Sequence, residues 1–359
     1  MLADKPLLGL VKETNRVLQA AFDEGIADNT PSPAMLKKLR EDVFLFSGCK
    51  THKELKEAAS WLLDDNGKVR PFNDFRNNVW KVHTAYNQHY LDAEYHFAIG
   101  SAQMAAKWDD FEKDGDRYHL QYRTAGDDRV RPEHAELDLI TLPASDRFWS
   151  RYYPPNGWRC RCTAVQVRAD KYPESDPGES ERRGEAATTR IDKNGINADA
   201  IFRFNPGRDR QIFPPAHPYK KVQGSVRKII EGLQAQKQNT DFSENRKSVL
   251  SWAKANLVGK TIPNEFGQIG KEIKISTYGI KEFINQPHKF LKAKNESLKN
   301  IRDKVREAEY EGFVKDTKGR CRGFHYLKTS IAGEDSWIVI REEMDGTAKL
   351  YSMVDHLKK

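Results

Sequence analysis

Apolar residues fall at helical spacing through the first hundred residues of the chain. Leu36, Leu39 and Val43 share one helix face. Ser32-Pro33 places an N-cap residue and a first-turn proline ahead of them, and Gly48 predicts the end of that helix. Thr51-x-x-Glu54 has the form of a capping box for a next helix carrying Leu55, Ala58 and Leu62. The spacing recurs at Phe75, Val79, Val82 and Tyr86, then at Leu91, Tyr95, Ala98 and Ala102. His83, His89 and His96 lie in these runs and read as polar helix-face residues.

The periodicity then stops. Between Tyr122 and Val167 the chain is too polar for a plain core and too aromatic for a linker. Leu120 to Arg123 and Cys160 to Val167 read as short strands framing an irregular middle. Residues 168–195, rich in Pro, Gly, Ser and charge, read as a flexible excursion. Order returns at Phe202-Arg-Phe204-Asn-Pro-Gly207 and Phe213-Pro-Pro-Ala-His-Pro-Tyr219. A helix from about Val222 to Gln234 and the polar stretch QKQNTDFSEN close this part.

The last third changes texture. Ser276 or Thr277 can cap a helix through Ile280, Phe283 and Ile284, which Pro287 ends. A second helix is predicted from about Asn295, with Leu298, Ile301, Val305 and Ala308 on one face. Four strand-like runs follow: Tyr310 to Lys315, Gly323 to Ile331, Ser336 to Arg341 and Lys349 to Val354. Asp316-Thr-Lys-Gly319 and Asp345-Gly346 are turn signals between them. Helices first and a meander after predict an α+β fold, with a helical N-terminal region, a small irregular β knot and a C-terminal helix-plus-antiparallel-sheet domain. The expected boundaries are a domain over 1–220, a linker over 221–245 and a domain over 246–359.

Composition narrows the class. Hydrophobic residues make up 38% of 359 and the mean hydropathy is −0.78. No run approaches the ~18 apolar residues of a membrane span. The opening MLADKPLLGLVKETNRVLQAAF lacks a basic stretch before its apolar positions, so no secretory signal is expected. Four cysteines do not make a disulfide framework. The net charge of +8 is uneven. Residues 246–359 hold 23 Lys+Arg against 15 Asp+Glu, whereas residues 1–245 hold 37 of each. A basic segment beside a neutral one either meets a polyanion or is an ordinary solvated lysine-rich surface.

Candidate chemistry sits in two places. In the irregular window, Cys160-x-Cys162 cannot comfortably bridge to itself. His134 and Asp138 are four apart and would share a helix face. With Cys160 and Cys162 they could bind zinc. The alternatives are buried thiols with a satisfied histidine, in which case no cofactor is needed, or a catalytic Cys–His pair. Pro154-Pro155-x-Gly157 supplies a rigid turn. The order Arg129-x-Arg131-x-x-His134, Phe148-Trp149, then Pro154-Pro155-x-Gly157-Trp158-x-Cys160-Arg161-Cys162 resembles the minor head protein (F-type) of Mu-like tailed bacteriophages. That resemblance implies a virion component made in the host cytoplasm, with portal and capsid proteins as partners. It also implies that Arg129, Arg131, His134, Trp149, Pro155, Gly157 and the two cysteines define the fold.

The second place is the C-terminal third. STYGIKEFINQPH, RGFHYLKTSIAG, SWIVIRE and KLYSMVD, over roughly Lys271 to Asp355, resemble a phage-associated branch of the barnase–EndoU–colicin–RelE-like nucleases. The resemblance implies metal-independent RNA cleavage, with RNA such as tRNA as substrate and an immunity protein as a further partner. The residue types suit it. His288 and His325 can exchange protons near neutral pH, Lys328 and Arg341 can hold phosphate, and Thr329, Ser336, Tyr351 and Ser352 offer hydroxyls. On ideal strands His325 and Thr329 face one way and Lys328 the other, and Tyr351 and Ser352 face oppositely. The competing reading is a purely structural head protein whose basic C-terminus contacts packaged DNA.

Overall fold

The computed structural model describes residues 5–357 and divides into two units, one ending at Gln234 and one beginning at Ala235. The first unit opens with helices α1 (Lys5–Gly25), α2 (Pro33–Ser60) and α3 (Phe72–Thr84), a π-helical turn over Ala85–Tyr90, and α4 (Leu91–Asp114). Helix α1 packs on both α2 and α4, and Leu18, Phe22, Leu39, Val43, Phe46, Phe97 and Ala102 form their common core.

A stop signal and a start signal within α2 both fail to act. Gly48 lies inside the helix, where a Cβ would come within 2.5 Å of Ile230 Cγ2, so the glycine serves a close approach. Thr51 caps nothing, because its hydroxyl donates back to Ser47 O at 2.9 Å within the same helix. The Ser32 hydroxyl likewise reaches across to Asp109 Oδ1 at 3.1 Å.

Strand β1 (Tyr118–Arg123), the single turn α5 (Pro132–Ala135), β2 (Thr141–Pro143), α6 (Phe148–Arg151), β3 (Thr163–Arg168) and α7 (Pro177–Ala187) follow. The three strands pair antiparallel in the order β2-β1-β3, over a second core of Leu120, Tyr122, Leu142, Phe148, Trp149, Tyr152 and Tyr153. Residues 168–195, expected to be a flexible excursion, instead carry α7. The Asp176 side chain caps it by accepting from Glu179 N at 2.6 Å. Its inward positions Ser180, Gly184 and Ala187 are buried. They are small or polar, so burial there leaves no hydrophobic signature in the sequence.

The segment 202–219 closes over the helices through one carboxylate. Asp42 accepts from Ile212 N and Phe213 N, each at 3.0 Å, and from Lys220 Nζ at 2.6 Å. Beside it, burial pushes the His217 imidazole from 6.5 down to about 3, and its Nδ1 accepts Tyr219 N–H at 3.2 Å. The unfolded chain takes up that proton near 6.5 but the folded unit not until about 3. The contribution is therefore complete above the first value and lost as pH falls toward the second. The urea midpoint should drop between about pH 7 and about pH 4.5, and less so for His217→Asn. Equal drops in the two proteins would refute the assignment.

Helix α8 (Gly224–Asn256) runs from Gly224 onward through the stretch expected to be a linker. Ile230 and Leu233 belong to the core of the first unit's helices, and Val249 and Ala253 to the core of the second unit. The apolar positions thin out between them, so no stripe marks the middle of the helix.

The second unit continues with β4 (Thr261–Pro263), β5 (Glu272–Lys274), α9 (Thr277–Asn285), α10 (Leu291–Glu296), α11 (Ile301–Arg306), β6 (Glu309–Lys315), β7 (Gly323–Ile331), β8 (Glu334–Glu342) and β9 (Ala348–Val354). The Ser276 hydroxyl caps α9 by accepting from Gly279 N at 3.0 Å. The helix expected from Asn295 is broken by a 3₁₀ turn over Ser297–Asn300. The sheet order is β4-β5-β9-β8-β7-β6. β5 pairs parallel with β9 and the other pairs are antiparallel. The fold class is thus α+β, and the large sheet is mixed. β4 and β5 have three residues each, too few to show alternation.

Candidate functional site

The irregular window places three chemistry-bearing side chains together. Cys160 and Cys162 lie just before β3, which is held to β1 by the register Arg123↔Thr163 and Tyr122↔Ala164. His134 lies on α5, whose start is fixed by Pro132 in the first turn. His134 Nδ1 stands 3.6 Å from Cys160 Sγ and 3.7 Å from Cys162 Sγ. The three ligand atoms lie within 4.8 Å of one another. His134 is buried and both cysteines are half-buried.

The surrounding residues lock this geometry. Arg131 Nη2 donates to Trp158 O at 2.6 Å. Arg161 holds Asp127 through two bonds of 2.6 Å, and Arg159 pairs with Asp92 at 2.6 Å. The Tyr122 hydroxyl donates to Asn156 Oδ1 at 2.9 Å beneath the cysteines. The Pro154–Pro155 bond in the turn is cis. Arg161 holds the Asp127 carboxyl well below the usual carboxylate range. Hydrogen bonding from Cys162, with help from His134, favours the Cys160 thiolate, while that neighbour pushes the Cys162 thiol up. The cluster opens on a cavity of about 640 Å³ whose wall includes Arg129, Arg131, Arg159 and Arg161.

Asp138 does not join the cluster. Helix α5 ends at Ala135, so the four-residue spacing does not bring Asp138 onto the face of His134. Its carboxylate accepts instead from Thr124 N at 2.8 Å. Asp127 carried no signal in the sequence, because its partner Arg161 is 34 residues away.

The residues predicted for RNA cleavage do not converge. The β7–β8 register is unbroken from Gly323↔Glu342 to Ile331↔Glu334. Strand alternation therefore puts His325, Thr329 and Ser336 on the face that carries Leu327 and Ile338 of the core. Lys328 and Arg341 lie on the other face. A bulge where β9 meets Val339 and Ile340 turns Tyr351 and Ser352 to the same side, correcting their expected opposition. Tyr351 there packs on Phe324 at 5.4 Å, and Ser352 is buried. Each cation is already paired, Lys328 with Asp335 at 2.9 Å and Arg341 with Glu343 at 3.2 Å.

The two histidines are also apart. His288 Nδ1 accepts from Phe290 N at 3.0 Å, which leaves Nε2 to donate to Ser336 Oγ at 3.2 Å. Burial pushes its pKa down. Glu334, Asp335 and Asp355 surround it in a cavity of about 270 Å³. His325 is held between the Tyr310 hydroxyl at 3.1 Å and Glu342 Oε2 at 3.2 Å. Ser336 pairs with Thr329, four residues along β7 from His325, or about 13 Å at strand rise. Tyr310 and Glu342 were not legible as partners of His325, since both reach it across strand pairs.

Comparison with known proteins divides the chain in the same way. Residues 63–165 match the family model described as Phage Mu protein F like protein. Residues 240–351 match that of Large polyvalent protein-associated domain 3. A putative capsid assembly protein F of Escherichia phage Mu is 28% identical over 164 residues, covering 40% of this chain and 36% of that protein. A Mu-like prophage FluMu F protein of Haemophilus influenzae is 30% identical over 183 residues, covering 48% and 38%. The chain thus spans well under half the length of these relatives. No solved structure matches it. It carries a Mu F-like segment followed by a polyvalent-protein-associated segment.

Proposed function

We propose that the chain acts in assembly of the head of a Mu-like phage or prophage, as a minor head protein whose partners are portal and capsid subunits. The observation that carries this is the Mu F-like match over 63–165, which takes in α3, α4 and the window ending in Cys160 and Cys162. The relative from phage Mu is named as a capsid assembly protein. No helix among the described residues is long and apolar enough to cross a membrane. Deleting the reading frame from its source genome should leave particles without normal DNA-filled heads by electron microscopy, and the chain should co-purify with heads when it is restored. Normal, infectious heads from the deletion would refute the proposal.

A second reading concerns the C-terminal unit: RNA cleavage without a metal ion. What favours it is His325, an imidazole oriented by the Glu342 carboxylate and in contact with the Tyr310 hydroxyl. Such an arrangement can pass a proton. The full chain should then degrade RNA in EDTA, leaving 2′,3′-cyclic phosphate ends, and His325→Ala should slow this by about 10²-fold. Intact RNA after incubation with the full chain would leave the structural, DNA-contacting reading of the basic segment.

A further inference from the structure

We propose that His134, Cys160 and Cys162 bind one zinc ion, with the fourth coordination position open to the arginine-lined cavity. This rests on geometry and stands apart from the head-assembly reading.

A tetrahedral zinc with Zn–S of about 2.3 Å and Zn–N of about 2.0–2.1 Å sets its nitrogen and sulfur ligands about 3.6 Å apart. The two distances here are 3.6 and 3.7 Å, both to the same atom, His134 Nδ1. A neutral imidazole nitrogen has one lone pair and accepts one hydrogen bond well. Two sulfurs at equal distance from it fit a common ion better than two thiol donors. Two thiolates and an imidazole are also the donor set that selects zinc over harder cations.

The ligands come from separate parts of the chain. His134 stands on a helix of four residues, and the cysteines lie 26 and 28 residues further on. A shared ion would pin the loop over 124–135 to the start of β3, adding to the Arg131–Trp158 and Arg161–Asp127 bonds already there. Three ligands come from this chain among the described residues. The open position meets the cavity walled by Arg129, Arg131, Arg159 and Arg161, and this wall suits water or a small anion there.

The test uses the full chain, purified without a histidine tag and dialysed against metal-free buffer, with bound metal measured by emission spectroscopy. One equivalent of zinc is expected in the wild type and in Asp138→Ala, and none in Cys160→Ser or Cys162→Ser. Because the serine variants can also misfold, the wild type is then reloaded with Co(II). The site predicts intense visible bands with thiolate charge transfer, and a shift of those bands on adding azide. A wild type that binds neither metal, or serine variants that retain full zinc, would overturn the proposal. Cobalt bands unmoved by azide would overturn the open fourth position.

Discussion

Glu94→Ala should destabilise the first unit by about 3–5 kcal/mol, the cost of stranding one charge of a buried pair. Glu94 Oε2 lies 2.6 Å from Lys50 Nζ, with side-chain exposures of 3% and 0%. The ammonium also donates to Tyr86 O at 2.7 Å, at the π-helical turn. Burial is the largest influence on both groups, pushing Lys50 down and Glu94 up. Each charge is thus held in place mainly by the other. Removing one leaves the second without water or counter-ion. Replacing both, as Lys50→Met with Glu94→Leu, should recover most of the loss, because an apolar pair of similar volume avoids the desolvation cost. Denaturant unfolding of the single and double variants measures this. A loss below about 1 kcal/mol in the single variant would mean that the pair behaves as a solvated surface bridge.

Gly279→Ala should destabilise the second unit by about 3 kcal/mol, at the upper end for overpacking. A Cβ at this position would lie 2.0 Å from Leu350 O and 3.2 Å from its carbonyl carbon. Those are backbone atoms of β9 and cannot swing aside. Helix α9 would have to lift from the strand, taking Ile280, Phe283 and Ile284 partly out of the core. Helix propensity alone predicts the opposite sign, since alanine is favoured over glycine by about 1 kcal/mol in a helix. The sign of the change in unfolding midpoint therefore decides between local preference and tertiary contact. A stabilised variant would show that α9 and β9 do not approach this closely.

The failure of the predicted cleavage residues to meet has a physical basis. His288, His325, Lys328 and Arg341 were chosen by chemical type. Strand alternation then sent His325 to one face and Lys328 and Arg341 to the other, while His288 lies on the connection between α9 and α10. Ser336 and Thr329 became cross-strand neighbours, while His325 paired with Ile340. The cysteine window behaved differently. There three of the four residues named from the sequence, His134, Cys160 and Cys162, do come together, and Asp138 does not, because its inclusion assumed a helix longer than the single turn that forms.

The sequence by itself determined what depends on a few neighbouring residues. Ser276 caps α9. Asp316 to Gly319 and Asp345-Gly346 turn the chain where β6, β7, β8 and β9 meet. The four strand-like runs end within two residues of β6, β7, β8 and β9, and the charge surplus falls in the last third. Only the tertiary structure decided what depends on remote partners. Gly48 permits contact with Ile230 instead of ending α2, and α8 runs unbroken through a polar stretch. A bulge turns Tyr351 and Ser352 to one side, and His134 meets two cysteines more than 25 residues away. A cap or a turn is satisfied within one or two turns of chain. Burial and close approach are set by whatever packs opposite, and that partner leaves no mark in the local sequence.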